Sequence, residues 1–255
     1  MRSSFSSFTL TDIVLILNKN KQKMDLQEIK QKMFTKLEPS GWDRVFKSFI
    51  FSSDFDEILT RLWNLSESNK RFTPPLRQVF RAFEECPYNK LQVVFIGQDP
   101  YPGLNHADGI SFSCSNTGKA QPSLRYILEE VNRTIYNGHV VSEDVDLTRW
   151  ANQGILMLNT ALTTEVGKIG KHYDIWQKFT AYLLDWLNNY NPGLVYVYLG
   201  KKAEEWSEMT NDNNTKFFVK HPASAAYNGS KWDSDNLFIK VSTVVTNTTG
   251  NIITW

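Results

Sequence analysis

Apolar positions take a helical spacing from Asp25 onward. Leu26, Ile29, Met33 and Leu37 recur three and four residues apart, which predicts one buried helix face. Pro39-Ser40-Gly41 stops that helix. Asp43–Phe51 and Asp54–Leu65 read as two more helices, the second opened by its Asp, and Pro74-Pro75 opens a fourth through about Phe83. The period then changes. Leu91–Ile96 is a short, β-branched apolar run closed by Gly97, the signature of a buried strand. Ile155–Leu158, Leu194–Leu199 (closed by Gly200) and Lys216–Val219 repeat the pattern. Helical stretches at Ser123–Tyr136, Ile175–Asn189 and Lys201–Met209 separate them. Strands alternating with helices predict a single α/β domain over residues 25–255. Its centre is a four-stranded, mostly parallel, twisted sheet flanked by helices on both faces.

The first 24 residues break the pattern. Met1–Thr11 is rich in Ser, Phe and Thr, Ile13–Leu17 is apolar, and Asn18–Lys23 is basic and polar. That apolar run is too short for a secretory core, and its charge lies on the wrong side. The expectation for residues 1–24 is an extension, either disordered or a leader. Lys and Arg number 28 against 27 Asp and Glu, a net charge of +1, so the chain is not a polycation that grips nucleic acid by charge alone. Apolar residues at 41% and charged ones at 22% exclude a disordered chain. There is no apolar run long enough for a membrane span. Cys86 and Cys114 form neither a disulfide framework nor a metal set, which points to a reducing compartment. An intracellular, cytoplasmic location is expected, nuclear or organellar in a eukaryote.

In open parallel sheets, sites lie beyond the carboxyl ends of the strands. There the chain places Asp99 after the first strand, Asn159 after the second and His221 after the fourth. Singly each has a plain structural reading, as a turn former or a loop residue. Together, on one rim, they form a candidate site. No phosphate-cradling or dinucleotide fingerprint is present, and no nucleophile elbow. His106, His139, His172 and His221 are scattered without ligand spacing, so neither metal nor cofactor is expected. An Asp, an Asn and a His can still orient water, read an amide-like ring and stabilise an anion.

Five segments in order carry a resemblance. They are Gly97–Pro102 (GQDPYP), Gly109–Ser113 (GISFS), Gln121–Leu124 (QPSL), Leu156–Thr163 (LMLNTALT) and His221–Ser224 (HPAS). The chain resembles the family 1 uracil-DNA glycosylases, over roughly residues 25–255. The resemblance implies a monofunctional N-glycosyl hydrolase of base-excision repair, which frees uracil and leaves an abasic site without lyase activity. It implies that Asp99 orients the attacking water and that His221 donates a hydrogen bond to uracil O2. It makes Asn159 the reader of N3 and O4, Phe112 the stacking ring, and Tyr101 the block to a thymine methyl. Gln98 lines the pocket through its backbone. Without the resemblance, Phe112 reads as a core residue. The target base must be flipped out of the duplex, as glycosylases do. The implied DNA contacts are Pro122, Ser123, His172, Pro222, Ser224, Ala225 and Tyr227. Ser123 also stands where a helix cap is expected.

Three positions depart from the family pattern. Pro102 replaces the usual His of GQDPYH. Ala225 occupies the place of the Leu that wedges into the base stack, so either extrusion is weaker or Tyr227 takes over the wedge. Lys171-His172 stands for the usual Ser-His pair. The implied partners are uracil-containing single- and double-stranded DNA, and a uracil-mimicking inhibitor protein. A monomer with no membrane association is expected. Two other readings compete: a DNA-binding scaffold without turnover, and a relative acting on mismatched uracil or thymine. The intact Asp99, Asn159 and His221 oppose the first, and Tyr101 opposes action on thymine.

Overall fold

A computed structural model describes residues 25–141 and 143–255, and the backbone alone of residues 226–228. The expectation for residues 1–24 lies outside the described residues. In chain order the helices and strands are α1 (Leu26–Leu37), α2 (Asp43–Ile50), α3 (Ser53–Glu67), β1 (Phe72–Thr73), α4 (Arg81–Glu84) and β2 (Val93–Gly97). Next come α5 (Pro122–Thr134), α6 (Thr148–Ala151), β3 (Ile155–Asn159), β4 (Thr164–Glu165), α7 (Tyr173–Tyr190) and β5 (Val195–Leu199). The chain ends with α8 (Lys201–Glu204), β6 (Thr215–Val219), α9 (Ala223–Asn228) and α10 (Leu237–Thr249).

The central sheet runs β3-β2-β5-β6, and every pairing in it is parallel. All residues of β2 and β5 are buried, which is why they read as unbroken apolar runs. Edge strand β6 is only partly covered, and Phe218 on it is exposed. Helices cover both faces. Phe95 of β2 points to one face, against Phe238 of α10 and Trp255. Val94 and Ile96 point to the other by strand alternation. Trp42, Phe46, Phe80, Phe83 and Phe179 pack ring to ring in a second aromatic cluster.

Connectivity decides where the site lies. β3 flanks β2 on one side, while β5, the next strand of this sheet, flanks it on the other. Such a reversal opens a crevice at the carboxyl end of the central strand. β2 ends there at Gly97, whose register partner is Asn159, the last residue of β3.

Several local expectations are corrected. The fourth helix does not run from Pro74 to Phe83. A 3₁₀ turn at Leu76–Gln78 is followed by the short α4, because Phe80 leaves helical geometry at φ −100° and ψ 12°. Helix α3 is capped by Ser52, whose Oγ accepts from the Phe55 amide, and Asp54 lies in its first turn. The stretch from Lys201 stays α-helical only to Glu204 and continues as 3₁₀. The buried face of α1 includes Lys30, 1% exposed, whose Nζ meets Asp56 at 2.7 Å. β1, β4, α6, α9 and α10 escaped the pattern. β1 and β4 are two residues each, too short to show a period.

Candidate active site

Asp99 follows β2 and is half-buried. The Gly170 amide donates to its Oδ2 at 2.6 Å, and the Tyr173 hydroxyl lies 3.4 Å from Oδ1. Burial pushes the carboxyl pKa up, and the donors from Gly170, Thr164 and Tyr173 pull against that rise. The loop supplying Gly170 is tied to the Asp99 segment where the Gly167 amide donates to the Pro102 carbonyl at 2.8 Å.

Asn159 stands beside Gly97, and the Ser111 hydroxyl donates to its Oδ1 at 2.7 Å. That bond fixes the amide plane and leaves Nδ2 as a donor. A Cβ on Gly97 would sit 2.7 Å from Ser111 Oγ and 2.8 Å from Asn159 Oδ1. Glycine is therefore required for the two side chains to meet behind the strand end.

Phe112 holds φ at 66°, a left-handed conformation rare for an aromatic residue. The surrounding loop over-determines it. Buried Asp108 accepts from the Ile110 and Ser115 amides and from the Ser113 and Ser115 hydroxyls. Arg81 pairs with Asp108 at 2.8 Å. The Tyr101 hydroxyl donates to the Phe112 carbonyl at 3.2 Å. A pocket bounded by Tyr101, Phe112 and Asn159, with Pro100, Ile110 and Leu162, lies at the centre of this arrangement. Gln98 is held by its carbonyl, which accepts from the Ala161 amide at 3.1 Å and the Thr160 hydroxyl at 2.8 Å.

The His221 ring lies 5.6 Å from the Phe112 ring, centroid to centroid. Its Nδ1 accepts from the Ala223 amide at 3.1 Å, so in the neutral ring Nε2 carries the proton. Burial lowers the imidazole pKa to about 4. Gly200, at φ +87°, makes the approach possible, since a Cβ there would lie 2.9 Å from His221 Cβ.

The structure thus gathers Gln98, Asp99, Tyr101, Phe112, Asn159 and His221 on one rim. The expected DNA contacts divide. Pro122 is exposed and Ser224 half-exposed, its Oγ donating to the His221 carbonyl at 2.8 Å. Ser123, His172, Pro222 and Ala225 are buried, so their side chains do not face solvent. Helix α5 starts after Gln121, which makes no side-chain cap, with Pro122 in its first turn, so Ser123 is not the expected cap but lies buried inside that turn. The His172 ring lies under its loop, with Thr163 Oγ1 2.9 Å from Nδ1. Ala225 packs in the core cluster from α9, so it cannot wedge from this position. The Tyr227 side chain lies outside the described residues. Ser111, Gly170 and Tyr173 are the site neighbours that motif reading passed over. Ser111 sits inside the GISFS segment, while Gly170 and Tyr173 carry no local signal.

The profile of the uracil DNA glycosylase superfamily matches residues 83–243. The uracil-DNA glycosylase of Acinetobacter baumannii (strain SDF) is 33% identical over 222 residues, which cover 86% of this chain and 93% of that one. The crystal structure of mimivirus uracil-DNA glycosylase superposes with a TM-score of 0.77 at 23% identity, over 100% of this chain and 95% of that one. The mimivirus UNG variant Y322L, in complex with UGI, matches with a TM-score of 0.74 at 25% identity, over 84% and 87% of the two chains. The chain belongs to the uracil-DNA glycosylase family, and it removes uracil from DNA as a repair enzyme.

Proposed function

We propose that Asp99 and His221 carry the chemistry from opposite sides of the scissile bond. Breaking the bond between C1′ and uracil N1 leaves positive charge on the sugar and an electron pair on the base. Water adds to C1′ and passes a proton to the Asp99 carboxylate. The departing pair spreads over uracil toward O2, where the His221 Nε2 proton is donated. A neutral imidazole suits this task, because the ring remains a donor above pH about 4 without a cation to desolvate. The observation that carries the reading is the Ala223 amide on Nδ1, which selects the tautomer.

Base recognition follows from the fixed amide. Asn159 Oδ1 accepts from uracil N3 and Nδ2 donates to O4, whereas the amino group of cytosine would meet Nδ2 donor against donor. Phe112 stacks on the ring, and Tyr101 fills the space of a thymine methyl. Gln98 lines the pocket with backbone.

On the DNA side, Pro122, Ser224 and neighbouring backbone amides approach the phosphates. Exposed Lys119, Arg125, Lys171, Lys220 and Lys231 supply positive charge near them. With Ala225 buried, the wedge falls to Tyr227. In this reading the enzyme acts as a monomer on uracil in single- and double-stranded DNA. The mimivirus UNG complexes with UGI support a protein partner, and a uracil-mimicking inhibitor is the kind of partner this reading expects.

The test is uracil release from a single-stranded uracil oligonucleotide in EDTA. Wild-type release with loss of about 10²–10³ in rate for His221→Gln is expected, and a comparable or larger loss for Asp99→Asn. No release by the wild type, or undiminished release by Asp99→Asn, would overturn the reading.

A further inference from the structure

Two donors reach Asp99 from one loop. Gly170 approaches Oδ2 through its amide, and Tyr173 approaches Oδ1 through its hydroxyl at the start of α7. Their arrangement is interdependent. Gly170 lies at φ +72°, and a Cβ there would sit 2.9 Å from Tyr173 Cε2. Glycine therefore provides the left-handed turn, the amide on Asp99 and the space for the ring. The same loop is pinned to the segment after β2 by the bond from Gly167 to Pro102.

We propose that Tyr173 is a positioning residue for hydrolysis, holding the Asp99 carboxylate in the orientation that receives the water proton. The phenol donates to Oδ1 and the Gly170 amide to Oδ2, so the carboxylate cannot rotate about its Cβ–Cγ bond without losing both. Tyr173 is well suited to remain a donor, because burial and the nearby Asp99 raise its own pKa, with a smaller push from Glu205. The groups facing Asp99 are the Gly170 amide, the Thr164 hydroxyl and this phenol.

The inference rests on the proposed role of Asp99, and the test separates the two. Tyr173→Phe keeps the ring and removes the donor. A fall in kcat of about 10- to 100-fold is expected, with KM for a single-stranded uracil oligonucleotide within about twofold. The acid limb of the kcat–pH profile should move to higher pH, since a carboxylate that loses a donor ionises later. In an Asp99→Asn background the same change should cost nothing further. An unchanged kcat, an unmoved acid limb, or an additive loss in the double variant would overturn the inference. Full activity in Asp99→Asn alone would instead overturn the assignment of Asp99. Should Tyr173→Phe not fold, 3-fluorotyrosine at position 173 is the second probe. As a stronger donor of nearly the same shape it should move the acid limb to lower pH, and no movement would again overturn the inference.

Discussion

Gly97 has no side chain, and the proposed uracil pocket depends on that. Ser111 Oγ and Asn159 Oδ1 meet at 2.7 Å over the position its Cβ would take. Gly97→Ala should force the pair apart, turning the amide proposed to read the base. A loss in kcat/KM of about 10²-fold is expected from such a displacement, carried in KM as well as kcat, and measured by steady-state release of uracil. Unaltered kinetics would show that the pair tolerates a shift. At the same scale, a single backbone amide on His221 Nδ1 decides which ring nitrogen carries the proton of the neutral ring.

Elements hold these residues in place by means that lie far from them in sequence. Phe112 keeps its unusual backbone because Asp108, Arg81 and Tyr101 fasten the loop on both sides. The carboxyl-terminal segment does similar work beneath the sheet. Trp255 stands 4.9 Å from Phe238 and 5.3 Å from Trp150, and its Nε1 donates to Ser242 at 2.8 Å. Trp255→Ala should cost about 3–5 kcal/mol of stability, as large core truncations do. Denaturant unfolding checks this, and a cost below about 1 kcal/mol would mean that the segment is not part of the folded unit.

For the molecule as a whole, buried imidazoles link stability to pH. His172 and His221 both have pKa values lowered to about 4 by burial. Unfolding returns each to the ordinary value near 6.5, so between these values the unfolded chain binds more protons. Their contribution is complete above about pH 6.5, falls as pH drops, and levels off below about 4. Tm should decline on acidification through that window, and His172→Gln should make the decline shallower. The ring at 172 suits the test, because Trp176 donates to Thr163 Oγ1, leaving the Thr163 hydrogen for Nδ1 and the Nε2 proton buried without a partner. An identical slope in the variant would mean that His172 is not buried neutral in solution. The near-balance of 28 cations and 27 anions fits the same picture. It accords with the proposal that a local basic rim, rather than the whole surface, binds DNA.

What the sequence determined by itself was set by short-range physics. Buried parallel strands must be apolar on both faces, so β2, β3 and β5 announced themselves. Polar residues at strand ends cannot be explained by that core, so Asp99, Asn159 and His221 stood out, and ordered motifs tied them to one family. Tertiary structure decided what depends on neighbours distant in the chain. Position 170 and position 173 reach Asp99 only because a loop folds over the strand end. Ser123, His172 and Ala225 turned inward because helix starts and packing, not motif position, determine which way a side chain points. Periodicity records which residues leave water, but a hydrogen bond across 70 residues leaves no trace in it.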